Sequence, residues 1–106
     1  MDKINAAVNN LIEAILNSEE YRAYREELEK VKLLPTLKEQ IDEFRKRNYL
    51  LQNSEDFAFD KLEEFEKEFQ KFRENPLVDA FLASELAFCR MMQNIEATIT
   101  EALHFE

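Results

Sequence analysis

A chain of 106 residues without a single glycine has few folds open to it. Glycine takes positive φ at no steric cost, and tight two-residue hairpins and phosphate-cradling loops depend on it. All-β folds, Rossmann-type nucleotide sites and P-loops are therefore disfavoured from the start. Two prolines, 45% hydrophobic and 35% charged residues complete the picture of an all-α chain that is folded rather than disordered. At this length it is one domain, residues 1–106, able to bury about two thirds of its unfolded surface.

Apolar residues at 3/4 spacing divide the chain into five helices, or four if the second and third run on through a kink at Pro35. Ile4, Val8, Leu11 and Ile15 mark the first, which stops near Asn17-Ser18. Ser18 caps the second, with Glu19 and Glu20 at the positive end of its dipole and Tyr21, Tyr24, Leu28 and Val31 on its inner face. Leu34 before Pro35 is pushed away from helical angles. The third helix runs from about Pro35 to Leu51, with Leu37, Ile41, Phe44 and Leu51 on one stripe. Asn48 falls in that stripe and either fixes register between helices or sits at a wet end.

Gln52-Asn53-Ser54 reads as a loop, and Ser54 restarts the chain as a fourth helix. That helix carries Ala58, Leu62, Phe65, Phe69 and Phe72 on a narrow seam between charged faces. After the turn Arg73-Glu74-Asn75-Pro76 comes the longest segment, with Asn75 as N-cap and Pro76 at the first helical position. Val78, Phe81, Phe88, Met92, Ile95 and Ile99 form its stripe. Helices four and five are expected to pair antiparallel. Their apolar stripes are longer than one small chain can cover, so self-association is expected too.

The formal net charge of −9 opposes phosphate backbones and anionic lipid, which argues against direct nucleic-acid binding and membrane insertion. The one basic cluster, Arg45-Lys46-Arg47, reads as a solvated helix face. A single cysteine allows no intramolecular disulfide. The first residues lack the unbroken apolar core of a signal peptide, and the expected location is cytoplasmic.

Catalytic groups are scarce. His104 is the only histidine, three residues after Glu101, and a carboxylate-bridged di-iron bundle needs two such pairs. No catalytic, cofactor or metal residue is assigned and no enzyme activity is expected. Cys89 lies on the apolar side of the last helix and reads as a buried structural thiol, with Met91 and Met92 as core filler. Glu85 stands out as a carboxylate in an apolar slot, to be paired with Arg22, Arg25 or Arg90 or set at the edge of an interface. The candidate partner interface is Glu85, Phe81, Phe88 and Met92 on the last helix with Phe65 and Phe69 on the fourth.

Ser18-Glu19-Glu20-Tyr21 followed by Tyr24 resembles the S-E-x-Y-x-x-Y opening of the second helix in the bacterial YlbF/YmcA/YheA-like proteins. Asn75-Pro76-x-Val78-x-x-Phe81-x-Ala83-x-Glu85 is similar to their N-P-x-V-x-x-[aromatic]-x-x-[AS]-E signature, here with Ala83-Ser84 before the glutamate. Phe44, after Ile41, matches the I-x-x-F of their third helix. Order and spacing agree over nearly the whole chain. The resemblance implies a helical, oligomeric regulator without catalysis. Its partners would be itself, other YlbF-family proteins or endoribonuclease Y, with effects on mRNA processing, competence, biofilm formation and sporulation. Two departures stand out. Leu34-Pro35 replaces the common Asp-Pro, and there is no cysteine-rich tail, so an iron–sulfur cluster has little support and the YheA-like branch is the nearer comparison.

Overall fold

The computed structural model of the protein describes residues 1–53 and 59–104. Among these the chain forms five helices and no strand: α1 (Asp2–Leu16), α2 (Glu19–Lys32), α3 (Pro35–Gln52), α4 (Phe59–Phe72) and α5 (Pro76–Ala102). The expected loop at Gln52-Asn53 begins one residue later, because Gln52 completes α3 and Asn53 caps it. Ser54 and Ala58, expected to open the fourth helix, lie outside the described residues.

The helix starts follow from local chemistry. The Tyr21 N–H donates to Ser18 Oγ at 3.2 Å, and the Ser18 hydroxyl donates to the Ile15 carbonyl at 2.6 Å. One side chain therefore serves an open donor of α2 and an open acceptor of α1. Asn17 adds Nδ2 to the Glu13 carbonyl at 2.8 Å. Asn75 Oδ1 accepts from the Leu77 N–H at 3.0 Å, and Pro35 and Pro76 occupy first-turn positions where no N–H is needed. Among the described residues, the only positive φ is 52° at His104, just past α5. That is the position where helices usually place glycine, and the His104 N–H reaches the Glu101 carbonyl at 3.2 Å. Ser18→Ala is expected to lower stability by about 1 kcal/mol, seen as a shifted urea midpoint with an unchanged slope.

Packing reassigns the long helix. Its partner is α2, not α4. The two run antiparallel: Tyr21 lies 5.5 Å from Phe88, while Tyr24 stacks on Phe88 at 5.4 Å and meets Phe81 at 6.0 Å. Helix α4 instead lies on α3, where Phe44 touches Phe65, Phe69 and Phe72 at 4.7–5.9 Å. Arg73 pairs with Asp79 at 2.7 Å across the turn between α4 and α5. Phe44 and Tyr24 thus take the two seams that hairpin pairing would have joined. The core is the cluster Val31, Leu37, Ile41, Val78 and Phe81, with Leu28, Phe72 and Leu82 packed against it.

The molecule is long and thin. Its radius of gyration is 17.7 Å, against about 13 Å for a compact domain of this length. Its extents are 51 × 37 × 18 Å. No residue of α1 is buried, and α5 has no buried residue beyond Phe81.

Candidate partner interface

The residues singled out on α4 and α5 separate into two groups. Phe81 and Phe65 are buried, at 2% and 5% exposure. Both pack into the chain's own core, which leaves little of either ring open to a partner. Phe69 and Phe88 are half-buried in the aromatic contacts just described. Met92 is exposed, so it is not core filler, although its neighbour Met91 is half-buried. The two are consecutive on the helix, about 100° apart around its axis, so Met91 falls on the partly covered face and Met92 on the open one.

Glu85 is half-buried and forms an ion pair with Arg45 of α3, not with Arg22, Arg25 or Arg90. Arg25 pairs with Glu29 one turn along its own helix, and Arg22 reaches Asn17. The Arg45 guanidinium also stands 5.5 Å from the Phe81 ring centre. Arg47 lies 5.3 Å from both Phe44 and Phe65 and pairs with Glu68 at 2.7 Å. Two of the three residues of the expected solvated basic face are therefore structural, each flat cation leaning on an aromatic ring while its tip meets a carboxylate. The signal lies in the spacing: Arg45 follows Ile41 by four and Arg47 follows Phe44 by three, which sets both beside the apolar stripe. Lys46 is exposed.

Between α3, α4 and α5 runs a cleft of about 490 Å³. Phe44, Phe69, Leu82 and Leu86 contribute to its apolar walls, and the Arg45–Glu85 pair, Asn48 and Cys89 also line it. Asn48 is exposed at the cleft edge and accepts from the exposed Gln52 Nε2 at 3.2 Å, a bond within its own helix and not one that fixes register between helices. Cys89, expected inside, is exposed. It is expected to react to one equivalent with a water-soluble disulfide reagent under native conditions. A thiol that reacts only after urea is added would contradict this placement.

Among the described residues no group of three or more histidines, cysteines or carboxylates converges on a metal-sized site, and no helix is long and apolar enough to cross a membrane. An ion pair and a thiol beside aromatic walls line the cleft of this all-helical chain. The chain belongs to the family described as control of competence regulator ComK, YlbF/YmcA, which matches residues 4–104. That family is regulatory by description. Searches of the curated proteins and of the solved structures returned no match.

Proposed function

We propose that the chain is a non-enzymatic cytoplasmic adaptor that regulates by protein–protein contact. The observation that carries this reading is the apolar surface on α1 and on α5 beyond Phe81 that the chain itself leaves open, where Ile4, Val8, Met92 and Ile99 are exposed. Singly exposed apolar residues are ordinary, but stripes of them along two helices mark contact surfaces. The regulatory family gives that contact its purpose. The partners are other YlbF-family proteins or endoribonuclease Y, and the output is mRNA processing with its effects on competence, biofilm formation and sporulation.

The test is affinity recovery of the tagged chain from its native cytoplasm, read by mass spectrometry, alongside Glu85→Ala and Met92→Ala. Both residues lie at or near the surface, so neither change dismantles the core. Recovery of endoribonuclease Y or a YlbF-family protein that falls at least several-fold in either variant supports the adaptor reading. Recovery of the chain alone, with transcript processing unchanged when its gene is deleted, sinks it in favour of a self-associating structural protein.

A further inference from the structure

Helix α4 packs on α3 and helix α5 on α2, so nothing of the chain fills the space between the α4 and α5 walls. That space is the cleft of about 490 Å³, inside the range of roughly 300–1,000 Å³ for sites that take small organic molecules. We propose that it binds a small aromatic amine in its protonated form. The ring enters the apolar part and the ammonium meets the carboxylates of Glu66 and Glu85. This goes beyond the adaptor reading and does not rest on it.

Three observations choose that ligand. The first is the wall. Phe44, Phe65, Phe69, Phe72, Leu82 and Leu86 line the cleft, and Leu86 is exposed. Water against such a wall is poorly held, and an apolar group gains by displacing it. The second is the geometry of the rings. Phe72 stacks on Phe44 at 4.7 Å with 14° between the planes, and Arg47 stands over the same ring, 5.3 Å from its centre. With its faces engaged, Phe44 offers the cleft its edge. Phe65 and Phe69 are stacked with each other at 6.0 Å. A ring edge is positive and meets the negative face of another ring in a T-shaped contact. A flat aromatic body therefore suits this cleft better than a branched aliphatic one.

The third is charge. Among the described residues, the charged side chains that line the cleft are Arg45, Arg73, Glu66 and Glu85. Arg45 is paired with Glu85, and Arg73 with Asp79 outside the cleft. Of the cations nearest Glu66 in the fold, Lys67 is paired with Glu63 and Arg47 with Glu68. Glu66 itself has no cation within ion-pair distance among the described residues. The unpaired charge of the cleft is thus a carboxylate, in a chain of net charge −9. An anionic ligand is repelled by both, and a cationic one is drawn in. An ammonium has three N–H donors. It can serve Glu66 on α4 and, on α5, the Glu85 oxygen Oε1, since Arg45 takes Oε2. One ligand then joins two walls that the chain leaves apart.

The chain contains no tryptophan, so the fluorescence of an indole probe reports the probe alone. Three probes share that ring: tryptamine with an ammonium, tryptophol with a hydroxyl and indoleacetate with a carboxylate. Each is titrated with the purified full chain and followed by anisotropy, at physiological salt to screen diffuse attraction to the net charge. Tryptamine is expected to bind with a Kd of about 0.1–1 mM. Tryptophol is expected to bind about threefold more weakly, the worth of an exposed ion pair, and indoleacetate without saturation. Tryptamine at about four times its Kd should slow alkylation of Cys89 about fivefold, in proportion to the free fraction, because Cys89 lines the cleft. Glu66→Gln, at an exposed position, should weaken tryptamine about threefold and leave tryptophol unchanged.

Absence of saturable tryptamine binding overturns the proposal. So does binding that leaves Cys89 alkylation at its free rate, which puts the probe elsewhere on the acidic surface. Tryptophol equal to tryptamine, or indoleacetate tighter than both, removes the ammonium from recognition and overturns it too. A Glu66→Gln chain that binds tryptamine as the wild type does has the same consequence. None of these results bears on the adaptor reading, which stands or falls with recovery of a partner protein.

Discussion

Phe81→Ala is expected to cost about 3–5 kcal/mol of stability, the range for removing a buried aromatic ring. The ring is 2% exposed, in contact with Tyr24 of α2 and beneath the Arg45 guanidinium. Truncation opens a cavity where α2, α3 and α5 meet and takes the cation–π partner from Arg45. Domains of this size have about 5–15 kcal/mol in total, so the variant stands near the threshold for folding at 37 °C. Urea unfolding followed by circular dichroism measures the loss. A cost below about 1 kcal/mol would mean that Phe81 is not the centre of the core. Met92→Ala, at an exposed position of the same helix, serves as the comparison in a dilute sample.

Phe44→Ala is expected to act locally before it acts globally. Phe44 makes the aromatic contacts of α3 with α4, stacking on Phe72 at 4.7 Å and meeting Phe65 and Phe69 at 5.8 and 5.9 Å, beside the Arg47–Glu68 ion pair. Arg47 leans on the same ring. The α2–α5 seam contains none of these contacts. Removing the ring therefore releases α4 from a body that stays folded, at a cost again of about 3–5 kcal/mol. Amide exchange is the decisive measurement, since it reports opening segment by segment. Amides of α4 should lose protection by at least a hundredfold while those around Val31 and Val78 keep most of theirs. Equal loss everywhere would show that α4 and the α2–α5 pair unfold as one unit.

The elements of this fold are legible in the sequence where the physics is local. Ser18 and Asn75 announce their caps because a short polar side chain before an apolar-periodic run has one clear use. Pro35 and Pro76 mark starts for the same kind of reason. The partner of each helix is not legible. A 3/4 stripe says that a face is apolar, not which other stripe it meets, and Phe65, Phe69 and Phe72 suit α3 as well as α5. The site inherits this gap. Glu85 is recognisable as a carboxylate needing a cation, but its partner Arg45 follows only once α3 is known to lie beside α5. Cys89 and Met92 read as interior for a related reason: the apolar stripe of α5 is wider than its cover, and the sequence does not say that Phe88, Met91 and Ile95 are half-buried while Cys89 and Met92 beside them are exposed. The motifs at Ser18–Tyr24 and Asn75–Glu85 point to the family because they combine caps with core residues at fixed offsets.

The thinness of the molecule has a consequence for how such a protein can change. A body 18 Å through is less than two helix diameters deep, a helix with its side chains being about 10–12 Å across. Helices α2, α3 and α5 therefore turn one face inward and leave another that no neighbour constrains, and α1 buries no residue at all. Substitutions on the outer faces can accumulate freely while a few positions such as Val31, Ile41, Val78 and Phe81 keep the shape. Descendants of one such scaffold can thus acquire different recognition surfaces without refolding, and relatives can keep a common outline after their sequences have drifted far apart.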